Sequence, residues 1–166
     1  MSSLIAYFSR AGENYVNGTL QTLSVGNTEV AAGVVQQAAG GDLFKIAPMV
    51  AYAADYSACI DEAKQDQKRG ARPELKEYLP GLDGYDTIYL GYPNYWGTMP
   101  MAVFTFLEKY DFAGKTIKPF CTHEGSGMGK SEADIKRLCP TAKVEKGLAI
   151  VGGKVQAAEE AITAWV

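Results

Sequence analysis

Short apolar runs and helix-patterned segments alternate along this chain, and that alternation fixes the fold class before any motif is considered. Leu4 to Phe8 is a near-continuous apolar run, the pattern of a strand covered on both faces. Asn27 opens a helical pattern with Val30, Val34 and Ala38 on one side, closed by Gly40-Gly41. Leu43 to Ile46 reads as a second strand, and Ser57 to Arg69 as a charged surface helix. A long connection from Arg72 to Gly84 follows, punctuated by Pro73 and Pro80. Thr87 to Tyr92 is the strongest strand signal; Pro93 ends it, and Pro100 starts a helix carrying Val103, Phe104 and Leu107. Lys115 to Cys121 and Val144 to Val151 supply the fourth and fifth strands. Ser131 with Asp134 resembles a capping box for a helix ending near Leu138. Val155, Ala158, Ile162 and Trp165 make the inner stripe of a last helix. Five strands interleaved with five helices predict an α/β fold, a parallel sheet with helices on both faces.

At 166 residues the chain has the length of one domain, expected to run from residue 1 to 166. Its 47% hydrophobic content excludes a disordered chain. Sixteen Lys and Arg against nineteen Asp and Glu leave a net charge of −3, which argues against nucleic acid as a partner. Cys59, Cys121 and Cys139 are an odd number with no paired spacing, so they read as buried thiols in a reducing compartment, with no metal site. No window reaches the roughly 18 apolar residues of a membrane span. The opening run is too short for a signal peptide, so the sequon Asn17-Gly18-Thr19 is idle and a cytoplasmic location is expected.

In parallel sheets of this kind ligands sit beyond the carboxyl ends of the strands, near the switch in strand order. The loops after strands one, three and four carry the notable residues. The first runs Ser9-Arg10-Ala11-Gly12, makes a long excursion, and resumes at Gly26-Asn27-Thr28. A strand, a small polar loop and a helix N-terminus form an anion site, to which Ser9 and Thr28 add hydroxyls and Asn27 an amide. The excursion, too polar and glycine-broken for a helix, reads as a binding or lid element. The second loop, Pro93-Asn94-Tyr95-Trp96-Gly97-Thr98-Met99-Pro100, offers a wall for a flat ring system and free amides for its edge. Trp96 folding back onto the core is the alternative. The third loop, Thr122 to Ser131, ends in Gly129-Lys130-Ser131, which mimics a phosphate-binding P-loop. That motif needs glycine where Glu124 stands, so the nucleotide-triphosphatase reading fails. His123, the only histidine, reads either as a hydrogen-bonding loop residue or as a proton donor beside a redox ring. Tyr52 and Tyr56 read as packing residues or as part of a lid.

Together these loops resemble those of the flavodoxin-like family, small FMN-binding proteins built as a three-layer sandwich on a parallel sheet of order 2-1-3-4-5. Ser9-Arg10-Ala11 and Gly26-Asn27-Thr28 look like two halves of the family's phosphate loop, split by an insert from Gly12 to Val25. Tyr92 to Pro100 is similar to its ring-binding loop, especially in members with a Trp-Gly-Thr-Met-Pro run. The resemblance implies FMN as cofactor. It puts the phosphate on Ser9, Asn27 and Thr28 with Arg10 and Ala11 alongside, and Pro93, Asn94, Tyr95, Trp96 and Gly97 at the ring. Glu124, Gly125, Ser126 and Gly127 then line the pyrimidine side. Ala11 stands where the family often has Thr, a loss for which Arg10 or Asn14 can compensate. No catalytic side chain is implied. Three functions follow from the resemblance: an electron carrier docking with redox partner proteins, an NAD(P)H-dependent reductase of quinones or similar small acceptors, and a non-catalytic flavin-binding module. The net charge of −3 is weaker than the usual flavodoxin's.

Overall fold

The computed structural model of the chain describes residues 2–166. In chain order it runs β1 (Ser2–Tyr7), β2 (Gly12–Val16), β3 (Thr19–Leu23), α1 (Asn27–Ala39), β4 (Asp42–Lys45), α2 (Tyr56–Lys68), β5 (Tyr85–Pro93) and α3 (Met101–Lys109). It continues through β6 (Thr116–His123), α4 (Ser131–Leu138), β7 (Lys143–Val144), β8 (Leu148–Val151), a 3-10 turn (Gly152–Ala157) and α5 (Glu159–Trp165). The main sheet is parallel, in the order β4-β1-β5-β6 with β7 and β8 both against β6. Counting β7 and β8 as one broken fifth strand, this is the expected 2-1-3-4-5 order.

Alternate residues of the central strands feed two cores. Leu4, Ala6 and Phe8, with Ile88, Leu90 and Tyr92, face the layer holding α3 and α4. Ile5, Tyr7, Tyr89 and Phe120 face α1 and α5. Burial on both sides is why these strands read as unbroken apolar runs. Gly91 lets the Phe120 ring lie directly on the backbone of β5, since a Cβ there would collide with it.

Three expectations need correction. The fifth strand is not continuous: pairing with β6 holds at Ile117↔Val144 and resumes at Phe120↔Leu148. The gap lies opposite Pro119, which has no N–H to give to a ladder. Ser131 is not a cap. Lys130 holds the cap position of α4, while the buried Ser131 hydroxyl donates to the Met128 carbonyl and accepts from Tyr92 Oη at 2.9 Å. Asp134 is taken by the hydroxyl of Thr98 at 2.5 Å. Finally, the insert is not a loop but a hairpin, β2 and β3, turning at Asn17 (φ 53°) and Gly18 (φ 82°). Two successive positive φ values make the I′ turn that asparagine and glycine favour.

Candidate functional site

The hairpin leaves the first loop intact in space. Gly12 pairs with Leu23 at its base, so Ser9-Arg10 and Gly26-Asn27-Thr28 come back together. Gly26 takes the N-cap position of α1 in an extended conformation that any residue adopts (φ −64°, ψ 153°). A side chain is nevertheless excluded there, because a Cβ would press on Ser9 Oγ and lie 2.6 Å from the Arg10 carbonyl oxygen. The cap hydrogen bond comes instead from Ser9, whose Oγ accepts the Glu29 amide at 3.0 Å. That leaves the Ser9 proton and the α1 amides at Asn27 and Thr28 for an anion. Thr28, 2% exposed, shares a hydrogen bond of 2.8 Å with Thr122 at the end of β6, tying the first loop to the third. One of these two hydroxyl protons remains free to donate.

Arg10 acts as a clamp on its neighbours. Its guanidinium donates to the carbonyls of Ala53 (2.8 Å), Ala54 (2.7 Å) and Glu13, fastening the hairpin to the segment ahead of α2. Glu13 answers by accepting the Tyr56 amide at 2.8 Å. At the far end the hairpin tip is latched to the third loop: Glu124 accepts from the Asn17 amide at 2.6 Å and from Gly153 at 3.2 Å. The insert thus spans from α2 to the third loop and forms a wall.

The second loop is a tight turn. Tyr95 and Thr98 exchange backbone hydrogen bonds across Trp96 (φ 54°) and Gly97 (φ 86°). Asn94 holds it, its amide donating to the Gly127 carbonyl and its oxygen accepting from Gly97, both at 2.9 Å. Tyr95 points inward, packs edge-on against Phe8, and meets the Cys59 thiol; burial keeps its phenol well above the usual range and therefore neutral. Trp96 points outward. Its indole N–H donates to the Ile60 carbonyl at 2.9 Å, Lys64 lies 4.8 Å from the ring centre, and 46% of the residue is exposed. It is neither a core residue nor a lid over the main cleft.

These pieces enclose a cleft of about 430 Å³ at the carboxyl ends of β1 and β5, where the strand order switches. Ser9, Arg10, Asn14, Asn27, Thr28, Pro93, Asn94, Tyr95, Glu124, Gly125 and Ser126 line it, so eleven of the fifteen expected residues converge. Trp96 borders a smaller adjoining cavity, and Ala11, Gly97 and Gly127 do not line the cleft. Tyr15, Tyr56, Thr122, His123 and Gly152 also line it, beyond the fifteen. The Asn17-Gly18 hairpin signal was the clue that would have brought Tyr15 in. His123 Nδ1 accepts the Gly125 amide at 2.9 Å, so the neutral ring carries its proton on Nε2. Gly152 keeps the Asn27 end of the cleft open: a Cβ there would lie 2.6 Å from Asn27 Nδ2 and 2.8 Å from Glu124 Oε2. The P-loop look-alike is structural only, since its Ser131 is fully buried against Tyr92.

The sequence model of the flavodoxin family matches residues 3–166. Comparison with curated protein sequences finds no match. Among solved structures, a provisionally named flavoprotein from Bacteroides uniformis ATCC 8492 is 32% identical, covering 99% of this chain and 96% of its own, with a TM-score of 0.76. A second, from Bacteroides eggerthii DSM 20697, is 28% identical over 97% of each chain, at 0.74. A flavoprotein from Lactobacillus acidophilus NCFM, solved in complex with FMN, shares the fold at 20% identity over 94% of this chain and 97% of its own, with a TM-score of 0.64. With the strand order, the position of the cleft and a family match over nearly the whole length in agreement, the chain belongs to the flavodoxin family.

Proposed function

We propose that this protein binds FMN in the cleft and works as a redox carrier, passing electrons through the flavin to and from a partner protein. The observation that carries this reading is the reassembled first loop: free amides at the start of α1 and the hydroxyls of Ser9 and Thr28 face a cleft otherwise walled by aromatic rings and amides. About 430 Å³ is within the ordinary range for a cofactor site. Bound flavin supplies the one- and two-electron chemistry; the chain binds, orients and shields it. Ser9, Asn27 and Thr28 hold the phosphate, with the dipole of α1 offsetting its charge. Pro93, Asn94 and Tyr95 lie along one side of the ring, and Glu124 to Ser126 offer backbone groups to its polar edge. No side chain is needed as acid, base or nucleophile. The FMN complex of the Lactobacillus acidophilus fold supports this assignment.

A second reading, an NAD(P)H-dependent reductase, draws on a cavity of about 250 Å³ that opens from the cleft past Asn14, Tyr56 and Tyr95. Cys59, Ile60, Ala63 and Trp96 make its far side, room for a flat, weakly polar acceptor such as a quinone. One assay separates the readings: the holoprotein is mixed with NADH or NADPH and a quinone, with no reductase present. A carrier leaves the pyridine nucleotide unconsumed yet is reoxidised by acceptors after chemical reduction. Rapid turnover overturns the carrier in favour of the enzyme.

Trp96→Ala gives a further expectation. Because Trp96 is half exposed, urea melts of the apoprotein should shift by no more than about 1 kcal/mol, far from the ~3–5 kcal/mol of a buried tryptophan. A loss of core size would return Trp96 to the interior.

A further inference from the structure

The insert presents a surface that the cleft does not use. From Asn14 to Thr28 the chain carries no charged residue, although 21% of the protein is charged. Within that segment β3 is the outer strand of a two-stranded sheet, with Leu20 52% exposed and its β2 partner Tyr15 44% exposed. A two-residue turn makes Val16↔Thr19 and Asn14↔Gln21 the hydrogen-bonded pairs. The N–H and C=O groups of Leu20 and Thr22 therefore point away from β2. Among the described residues neither residue has another backbone partner. Clamped at Arg10 and latched at Asn17, the edge is held in place rather than fraying. Exposed edges are usually blunted by charge, proline or a bulge, and none of these occurs in Thr19-Leu20-Gln21-Thr22-Leu23.

We propose that β3 is an interface with a second copy of this chain, paired antiparallel about a two-fold axis through Gln21. In that register Leu20 and Thr22 of one copy exchange backbone hydrogen bonds with Thr22 and Leu20 of the other, and the two Gln21 residues face each other in the centre. The result is one four-stranded sheet built from two hairpins. An uncharged strip favours a second copy: two chains of net charge −3 meet where neither carries charge, whereas a strongly acidic or basic partner finds no counter-charge. Five-residue edges bury less than the roughly 800 Å² per partner of a standard interface, so the dimer is weak and forms with rising concentration. Asn14 and Tyr15 on the same hairpin wall the cleft, so dimerisation buttresses that wall from outside.

Sedimentation velocity on the full chain, over a wide concentration range, tests it. The sedimentation coefficient should climb from a monomer to a dimer value. The double variant Leu20→Lys/Thr22→Lys should stay monomeric at concentrations where the parent is half dimeric, with unchanged circular dichroism and urea midpoint, because both residues lie on an exposed edge. Gln21→Cys should form a disulfide-linked dimer in air, since facing Cα atoms are within disulfide reach and the three native thiols are buried. Leu23→Cys, opposite Thr19 of the partner in this register, should not. A parent chain that stays monomeric throughout, a dimer indifferent to the two lysines, or equal cross-linking of both cysteine variants would each overturn the proposal.

Discussion

Gly26→Ala should weaken FMN binding by about tenfold to a hundredfold, equivalent to the ~1–3 kcal/mol of forcing a methyl group into a packed site. The backbone angles at Gly26 suit alanine, so conformational strain contributes nothing. The effect is steric: the new Cβ meets Ser9 Oγ and the Arg10 carbonyl, and the two halves of the first loop must part to admit it. Parting them pulls Ser9 off the Glu29 amide and turns the free end of α1 away from the cleft. Gly33→Ala in the same helix is the control, since a Cβ there meets nothing within 4 Å. It should leave affinity unchanged and raise helix stability slightly. Fluorescence-quenching titrations of the two apoproteins with FMN give both numbers; equal affinities would detach the first loop from the cofactor.

The largest stability effect belongs to Phe120→Ala, at about 3–5 kcal/mol. Phe120 is fully buried in the middle of β6, lies on the backbone of Gly91, and sits edge-on to Trp165 at 6.1 Å. Its loss opens a cavity that neither strand backbone nor α5 can collapse into. Since folded proteins hold only some 5–15 kcal/mol in all, the variant should melt at a far lower urea concentration. FMN affinity of the fraction still folded should be unaltered, because Phe120 does not line the cleft. A urea midpoint close to the parent's would show that α1 and α5 are not held to the sheet by this ring.

The sequence carried the sheet plainly, because strands buried on both faces show it as unbroken apolar runs from Leu4 and from Thr87. It also carried α1, whose boundaries are set by local chemistry at Gly26 and Gly40. What it hid was decided by distant partners. Ser131 and Asp134 have the spacing of a cap, yet Tyr92 and Thr98 claim them. The fifth strand looks continuous on its own and breaks opposite Pro119, where the chain takes one extra residue and the Gly147 amide turns to the Glu132 carboxylate. In the candidate site the residue types were legible, while the aim of Trp96 was not. A left-handed turn at Trp96-Gly97 swings the indole onto α2, and nothing in the loop's composition fixes that direction. Tyr15 enters the cleft through the hairpin; its Asn-Gly turn is legible in the sequence, but the polar, glycine-broken segment around it hides the two short strands.

In the proposed complex an anionic phosphate sits at the start of α1 and the flavin ring lies in the cleft. Parallel titrations of the apoprotein with FMN and riboflavin test it most directly, since the two ligands differ only in that phosphate. FMN should bind at least tenfold more tightly, because riboflavin forgoes charge-assisted hydrogen bonds worth about 1.5–3 kcal/mol each. The difference should shrink in Gly26→Ala, where the cradle is spread. Equal affinities for FMN and riboflavin in the parent protein would take the phosphate away from the start of α1.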